Sequence, residues 1–209
     1  MSDTEANRRP IAARDSGWAR RFANALARSA VTPNQISAAS VSFACIGSVL
    51  LICWPTPAGL LLCAVCIQLR LVCNLIDGMV AMEGGKASAL GKIYNEFPDR
   101  IADSLLIVAL GYACGWAWLG WLGALLAALT AYVRVFGGAL GFVQDFRGPL
   151  AKQQRMAVLT VACVLAAGES FWHGEHYALL AAAVVIAAGS LLTCVTRTRA
   201  IAVQLRVGN

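Results

Sequence analysis

Acidic residues gather at one junction between two long apolar runs, and this junction restricts what the chain can fold into. Five of the 11 acidic residues lie in this short stretch: Asp77, Glu83, Glu96, Asp99 and Asp103. Carboxylates are costly at membrane depth and are normally kept there for a functional task. The stretch is therefore the first candidate for a functional site.

The spacing of the polar side chains in this stretch indicates two helices whose polar faces meet. Asn74 and Asp77 lie three residues apart and therefore share a face of one helix. Asn95, Asp99 and Asp103 recur every four residues and share a face of the next helix. Carboxylate and amide oxygens gathered between two helices suit a hard divalent cation. The sequence thus predicts a polar pocket for a metal ion.

The composition of the chain places this pocket in a membrane protein. Of the 209 residues, 59% are hydrophobic and 13% are charged, and the mean hydropathy is +0.67. An average globular domain is far less apolar. We expect a single-domain, all-α integral membrane protein. We expect no signal peptide, because the polar N-terminal segment contains no apolar run followed by a cleavage site.

Apolar runs divide the chain into six predicted transmembrane helices, since about 20 apolar residues cross a bilayer. We expect a flexible cytoplasmic tail at 1–14 and an amphipathic juxtamembrane helix at 15–30. A six-helix transmembrane domain at 31–200 and a cytoplasmic tail at 201–209 follow. The six predicted helices occupy approximately residues 36–54, 58–82, 98–113, 121–141, 149–168 and 177–195.

The predicted juxtamembrane helix has one apolar face. Trp18, Phe22 and Leu26 recur at helical spacing, and arginines occupy the opposite side. Such a helix suits an anionic membrane surface, and packing against the protein itself is the alternative. Thr32 followed by Pro33 then predicts the capped start of the first transmembrane helix.

The basic residues lie on one side of the predicted bundle. The connections 55–57, 115–120 and 169–176 contain no lysine or arginine, and all 17 basic residues fall elsewhere. By the positive-inside rule, both termini and the acidic stretch face the cytoplasm of a multi-pass protein of the cell (inner) membrane. The net charge of +6 indicates attraction to anionic membrane lipids, and no nucleic-acid-binding motif occurs.

A second polar cluster follows the predicted fourth helix. Arg134 lies late in that helix, and Lys152 and Arg155 share a face at the start of the next one. Pointing inward, the latter two form an anion site, whereas pointing outward they lie under lipid headgroups. Arg70 lies inside a predicted transmembrane helix and therefore needs a carboxylate or phosphate partner.

The stretch 74–99 resembles the signature of the CDP-alcohol phosphotransferase (CDP-alcohol phosphatidyltransferase) family. The family pattern is Asp-x2-Asp-Gly-x2-Ala-Arg-x8-Gly-x3-Asp-x3-Asp, and the chain keeps every spacing in it. Two aspartates are replaced by Asn74 and Asn95, and the arginine is replaced by Met82. The five positions that match are Asp77, Gly78, Ala81, Gly91 and Asp99.

This resemblance implies an enzyme of phospholipid biosynthesis that depends on Mg²⁺ or Mn²⁺ and forms a homodimer. It would move a phosphatidyl or other substituted phosphate group from a CDP-linked donor, such as CDP-diacylglycerol, to a small polar alcohol and release CMP. Asp99 is the implied general base, and Asp103, one turn further along, is a second catalytic candidate. The implied positions are Asn74, Asp77, Asn95 and Asp99 for the metal, Gly78, Ala81, Lys86 and Gly91 for CDP, and Arg134, Lys152 and Arg155 for the acceptor or its phosphate.

The replacements leave several outcomes open. Asparagine keeps an oxygen ligand but loses the negative charge. Either one metal ion suffices, or Glu83, Glu96 or Asp103 supplies the missing charge, or catalysis is lost while CDP-lipid binding is retained. A small transporter that uses the carboxylates is a further class of function, although no inverted repeat supports it.

Overall fold

The computed structural model describes residues 16–83, 85–86, 90–172 and 176–207, without the side chains at positions 83, 92 and 95. The predicted tail at 1–14 lies outside these ranges. The described residues form seven α-helices and no strand. The helices are α1 (Gly17–Ala27), α2 (Pro33–Cys53), α3 (Pro57–Glu83), α4 (Gly91–Ala113), α5 (Ala117–Ala139), α6 (Lys152–Glu169) and α7 (Tyr177–Val207).

The six helices after α1 close into a ring in the order α2, α3, α6, α7, α5, α4. Each helix packs against its two neighbours in the ring, and α4 also touches α7 across it. By contrast, α3 and α4 make few direct contacts, and α4 and α6 are not neighbours in the ring. The space between α3, α4 and α6 is therefore left to side chains, and this is where the charged residues meet.

Among the residues that the structure describes, four helices are long and apolar enough to cross a membrane, namely α2, α5, α7 and the part of α3 that ends at Met82. The other two, α4 and α6, have 23 and 18 residues and carry the inward charges described below. Large apolar side chains such as Ile46, Leu125 and Leu192 are exposed on the outside of the ring, as lipid contact requires. The all-α membrane fold is confirmed, and the crossing of the bilayer by α4 and α6 stays a prediction.

The helix α1 packs on α3 through small side chains. Ala19 and Ala23 are fully buried against α3, whereas Trp18 and Phe22 remain about half exposed. The helix therefore packs on the protein with one face and presents aromatic side chains on another. Its position on a membrane surface stays a prediction.

The start of α2 follows the predicted cap. Oγ1 of Thr32 accepts a hydrogen bond of 3.3 Å from the backbone N–H of Gln35, and Oε1 of Gln35 accepts one of 3.0 Å from the N–H of Thr32. Pro33 occupies the first helical turn. This reciprocal capping box fixes where α2 begins.

Two helices differ in extent from the prediction. The predicted helix at 98–113 is only the second part of α4, which begins at Gly91 and contains Pro98 in its interior. Proline usually breaks a helix because it lacks an N–H, but packing of α4 along α2 outweighs the loss of one hydrogen bond. At the other end of the chain, α7 continues to Val207, into the predicted tail.

Candidate functional site

Asp77 is held in a fixed orientation inside the ring. Its Oδ2 accepts a hydrogen bond of 2.5 Å from Oγ of Ser37, which joins α2 to α3. Its Oδ1 accepts one of 2.6 Å from the backbone N–H of Gly78. The residue is only 4% exposed, and Asp99 of α4 lies close enough to repel it electrostatically. Asp77 therefore faces the interior of the ring and not lipid.

Next to Asp77, the structure has one buried polar atom without a hydrogen-bond partner and one region of open space. The amide nitrogen of Asn74, one turn earlier in α3, is buried and has no hydrogen-bond partner among the described residues. A methyl group added at Gly78 would meet no atom within 4 Å, so open space adjoins α3 at this point. A buried polar atom without a partner is uncommon and often indicates a missing ligand or water.

Asp99 is surrounded by cations from its own helix and from two others. Nζ of Lys152 in α6 contacts Oδ2 of Asp99. Nη2 of Arg70 in α3 lies 3.8 Å from Oδ1 and donates a hydrogen bond of 3.3 Å to the Asp99 carbonyl. Nη2 of Arg100 lies 3.9 Å from Oδ2. Of the two orientations open for Lys152, the structure shows the inward one, since the residue is buried.

Both carboxylate oxygens of Asp103 are engaged by guanidinium groups. Oδ1 accepts a hydrogen bond of 2.6 Å from Nη2 of Arg70, and Oδ2 accepts one of 3.1 Å from Nη2 of Arg155. All three residues are at most 2% exposed. This confirms that Arg70 has a carboxylate partner and that Arg155 points inward. One carboxylate of α4 thus connects α3 to α6.

Arg134 belongs to a separate, shallower pair. Its Nη2 donates a hydrogen bond of 2.7 Å to Oε1 of Glu96 in α4, and its Nη1 donates one of 2.7 Å to Oε1 of Gln144. Its guanidinium carbon also lies 5.2 Å from the ring centroid of Phe146. Nε of Arg100 lies 3.5 Å from the same Glu96 oxygen. Arg134 is therefore held at the edge of the charged cluster and not in its centre.

The ammonium group of Lys86 contacts the segment that follows α1. It donates hydrogen bonds to the backbone carbonyls of Ser29 at 2.6 Å and Val31 at 3.1 Å. These contacts hold the segment between α1 and α2 against the connection between α3 and α4. A contact between Lys86 and a nucleotide stays a prediction.

The remaining predicted positions lie at the facing ends of α3 and α4. Ala81 is half-buried in the last turn of α3, beside Met82, which is largely exposed. Gly91 is the first residue of α4. The predicted ligand Asn95 lies in α4, but its side chain is outside the described residues.

The connection between α5 and α6 carries an exposed ion pair. Oδ1 of Asp145 accepts hydrogen bonds from the backbone N–H of Arg147 at 2.9 Å and from its Nε at 3.0 Å. This guanidinium holds the pKa of Asp145 below its usual value. The carbonyl of Arg147 accepts a hydrogen bond of 2.8 Å from Nε of Arg197, which anchors the connection to α7.

The donor types at the site fit one hard divalent cation better than two. In the part of the chain that the structure describes, no three His, Cys, Asp or Glu side chains are arranged to hold a metal ion. Asp77 and Asp99 supply two carboxylates, and Asn74 carries an amide oxygen of the same donor type, while its amide nitrogen is a hydrogen-bond donor without a partner among the described residues. Oxygen donors of this kind suit Mg²⁺ or Mn²⁺, but Lys152 offsets one of the two negative charges.

An apolar groove of about 610 Å³ runs between α2 and α4. It begins beside the polar site, since Ala38 follows Ser37 and Pro98 precedes Asp99 in the chain. Most of its walls are aliphatic and aromatic side chains. The lining residues include Val41, Ile46, Ile93, Tyr94, Phe97 and Ile101.

The sequence is similar to that of one curated membrane protein. No family model matches the chain. The inner membrane protein YnbA of Escherichia coli is 29% identical over 129 residues, which are 61% of this chain and 64% of that protein. The chain thus matches less than two thirds of the length of this curated relative.

Solved structures of the phosphatidylinositol phosphate synthase PgsA1 of Mycobacterium tuberculosis have the same fold. The form with CDP-DAG bound gives a TM-score of 0.73 at 18% identity, over 89% of this chain and 94% of that one. The complex with manganese and citrate gives 0.71 at 19% identity, over 88% of each chain. The six-helix ring of this chain therefore has the fold of this synthase.

Proposed function

We propose that the protein is a membrane phosphotransferase that moves a phosphatidyl or other substituted phosphate group from a CDP-linked donor to an alcohol and releases CMP. The observation that carries this proposal is the position of Asp77 and Asp99. These two carboxylates match the family signature and come from helices that barely touch, yet they lie within electrostatic reach of each other inside the ring. The fold shared with a synthase that binds CDP-DAG supports a lipid-linked donor, with CDP-diacylglycerol as the first candidate.

Asn74, Asp77 and Asp99, with Asn95 from the sequence pattern, are the proposed positions for one divalent ion. The related structure that contains manganese supports this part of the proposal, and Mg²⁺ has the same preference for oxygen ligands. When bound, such an ion offsets the charge of the donor diphosphate and eases the departure of CMP.

Asp99 is the proposed general base. The hydroxyl oxygen of the acceptor attacks the phosphorus of the donor, a new P–O bond forms, and the P–O bond to CMP breaks. The hydroxyl proton passes to a carboxylate oxygen of Asp99. The contact of Lys152 is with Oδ2, whereas Nη2 of Arg70 lies 3.8 Å from Oδ1, so Oδ1 is the proposed oxygen for this proton.

The proposed nucleotide site lies along the last turns of α3. The open space beside Gly78 supports the close approach of a ligand there, and Ala81 keeps the next turn of the helix narrow. Lys86 and Gly91 are the proposed contacts across the connection to α4. Lys86 would reach the diphosphate by exchanging its hydrogen bonds to the carbonyls of Ser29 and Val31.

The proposed acceptor site is the basic cluster of α6 with Arg134 at its edge. Lys152 and Arg155 are buried, and buried cations favour a substrate that carries negative charge. The proposed setting is the cell (inner) membrane with both termini and the site on the cytoplasmic side. The inner membrane relative supports the membrane, and a homodimer is proposed from the family resemblance alone.

The direct test is a CMP-release assay with the purified protein in nanodiscs. CDP-diacylglycerol is offered with a panel of free and phosphorylated alcohols, in Mg²⁺, in Mn²⁺ and in a chelator. The proposal expects metal-dependent CMP release with at least one acceptor. Absence of CMP with every acceptor and metal would count against it.

A relative that binds CDP-lipid without turnover is the second candidate function. The observation that favours it is the contact between Lys152 and Asp99, together with the loss of two signature carboxylates. Here the test is restoration of charge by Asn74→Asp combined with Asn95→Asp. Turnover that appears only in this double variant would support the inactive relative, and turnover in the wild type would exclude it.

A further inference from the structure

The connection between α5 and α6, residues 140–151, is attached to α7 close to its end. The backbone N–H of Leu150 donates a hydrogen bond of 3.1 Å to Oγ1 of Thr193. The same hydroxyl donates one of 2.7 Å to the carbonyl of Gly189, one turn earlier in α7. Thr193 is fully buried and Leu150 is 9% exposed. The end of the connection is therefore held to α7 by a buried hydrogen bond.

Two glycines let the connection lie directly against α7. Gly148 has a φ of +134°, and a β-carbon added there would collide with the side chain of Thr193. A β-carbon added at Gly189 would lie 2.8 Å from Cβ of Leu150. Glycine permits both the positive φ and the close approach, so the path of the connection over α7 is closely defined.

Arg197 attaches the same connection at a second point. It lies one turn after Thr193 in α7, and its Nε donates a hydrogen bond of 2.8 Å to the carbonyl of Arg147. Its Nη1 donates one of 2.7 Å to the carbonyl of Thr130 in α5. Hydrogen bonds from charged donors are stronger than neutral ones, and Arg197 is only 4% exposed. Arg197 therefore holds the connection to α5 and α7 together.

These attachments fix where α6 begins. Lys152 is the first residue of α6 and follows Leu150 by two residues. Nη1 of Arg155, in the same first turn, donates a hydrogen bond of 2.9 Å to the carbonyl of Leu150. Since α4 and α6 are not neighbours in the ring, the contact between Lys152 and Asp99 depends on the position of this helix start.

Lys152 is the cation in direct contact with the carboxylate of Asp99. Its Nζ contacts Oδ2, whereas Nη2 of Arg70 lies 3.8 Å from Oδ1 and Nη2 of Arg100 lies 3.9 Å from Oδ2. Asp99 and the buried Asp77 also repel each other. Buried negative charge is costly unless it is compensated, and the ammonium group supplies this compensation. A divalent cation at the same carboxylates would supply it as well, so the two cations compete for Asp99.

We propose that Lys152 is the internal counter-ion of Asp99 and leaves this carboxylate when a divalent cation binds there. Thr193 and Arg197 are positioning residues that hold the lysine in place through the start of α6. The inference rests on the proposed function and deepens it, because it concerns control of the proposed metal site. Loosening the attachment to α7 therefore strengthens metal binding. A merely structural role predicts the opposite sign, since a loosened fold organises the carboxylates less well.

The test measures Mn²⁺ binding to the purified full-length protein in nanodiscs by electron paramagnetic resonance, without any CDP-linked donor. Lys152→Met removes the ammonium group and keeps most of the aliphatic chain. We expect it to bind Mn²⁺ about 10-fold more tightly. Because the loss of any nearby positive charge favours a cation, variants that leave the charge unchanged are also required.

Thr193→Val changes no charge and keeps the shape of the side chain beside the connection. It removes the acceptor of the Leu150 N–H, and we expect Mn²⁺ to bind about 3-fold more tightly, the effect of roughly one hydrogen bond. Thr193→Ser keeps the hydroxyl and should retain the affinity of the wild type. The matched control is Thr196→Val, which removes an exposed hydroxyl of α7 that donates a hydrogen bond of 2.8 Å to the carbonyl of Leu192, and it should change nothing.

Arg197→Lys is the second variant of constant charge, and it serves if Thr193→Val does not fold. Lysine keeps the positive charge but lacks the planar fork that reaches two carbonyls, so Mn²⁺ should again bind about 3-fold more tightly. A double-mutant cycle then tests whether the attachment acts through the lysine. In the Lys152→Met background, Thr193→Val should have no further effect.

Three results would overturn the inference. They are unchanged Mn²⁺ affinity in Lys152→Met, weaker or unchanged affinity in the folded variants of Thr193→Val and Arg197→Lys, and further tightening by Thr193→Val when Lys152 is already replaced. Folding is checked by monodispersity in size-exclusion chromatography. CMP release by the wild type with any of these results would refute the inference alone. The expected pattern in a protein that releases no CMP would refute the proposed reaction and support the role of Lys152.

Discussion

Oγ of Ser37 in α2 lies 2.5 Å from Oδ2 of Asp77 in α3, and this hydrogen bond fixes the carboxylate inside the ring. In Ser37→Ala, Asp77 keeps only the hydrogen bond from the Gly78 backbone. We expect a loss of about 1–3 kcal/mol of unfolding free energy, because a buried acceptor loses its partner. Titration with SDS measures this loss, and affinity for Mn²⁺, followed by electron paramagnetic resonance, should fall with it. Unchanged Mn²⁺ affinity would contradict the assignment of Asp77 as a metal ligand.

Gly78→Ala is expected to raise stability and lower activity together. Alanine is favoured over glycine inside a helix by about 0.8–1 kcal/mol, and the added methyl group meets no atom within 4 Å. If the nucleotide occupies this open space, the methyl group raises the KM for the CDP-linked donor about 10-fold or more.

The matched control for this change is Gly168→Ala in α6, where an added methyl group also meets no atom. It should raise the thermal midpoint by a similar amount without altering the KM. An unchanged KM in Gly78→Ala would show that the nucleotide does not bind on this side of α3.

The contact between α4 and α5 depends on two glycines. A methyl group added at Gly111 would lie 2.5 Å from the α-carbon of Gly120, which is closer than real contacts permit. Gly111→Ala should therefore push the helices apart and cost about 1–3 kcal/mol, as overpacking does. Thermal unfolding measures the cost, with Gly168→Ala as the tolerated comparison. Equal thermal unfolding midpoints for the two variants would contradict the close packing of α4 against α5 at Gly111.

The groove between α2 and α4 should bind an acyl chain of the donor. Ala38→Phe fills the groove, and we expect the KM for CDP-diacylglycerol to rise about 10-fold, a loss of roughly 1.4 kcal/mol of binding. Inhibition by soluble CDP should stay the same, because the proposed nucleotide site lies along α3 and outside the groove.

The control for the groove is Ala128→Phe, an equally large change on the exposed side of α5. This variant should alter neither the KM for CDP-diacylglycerol nor the inhibition by CDP. If both phenylalanine variants act alike, or if CDP inhibition weakens together with the KM, the groove does not hold the acyl chain.

The parts of the site that sequence reasoning found share one property, which is local spacing. Positions three or four residues apart share a helix face, and this spacing predicts that the polar faces that carry Asp77 and Asp99 meet. The cost of a charge inside a transmembrane helix predicts that Arg70 has an anionic partner. Both inferences required no knowledge of which helices are neighbours.

The parts that sequence reasoning missed depend on the ring order. Ser37 carries no signal of its own, because its role exists only when α2 lies beside the polar end of α3. The occupation of both Asp103 oxygens likewise requires α3 and α6 to flank α4. Pro98 predicts the start of a helix, but the structure has this residue inside α4. The hydrogen bond that proline cannot make is outweighed by the packing of α4 on α2.

The most direct test of the central claim compares CMP release by the wild type and by Asp99→Asn, with CDP-diacylglycerol, a phosphorylated alcohol and Mn²⁺. The variant keeps the size of the side chain but cannot accept the hydroxyl proton. We predict metal-dependent release by the wild type and a reduction of about 100-fold or more in the variant, the usual contribution of a general base. Equal rates for the two proteins, or CMP release that persists in a chelator, would contradict the assignment of Asp99 and the metal site.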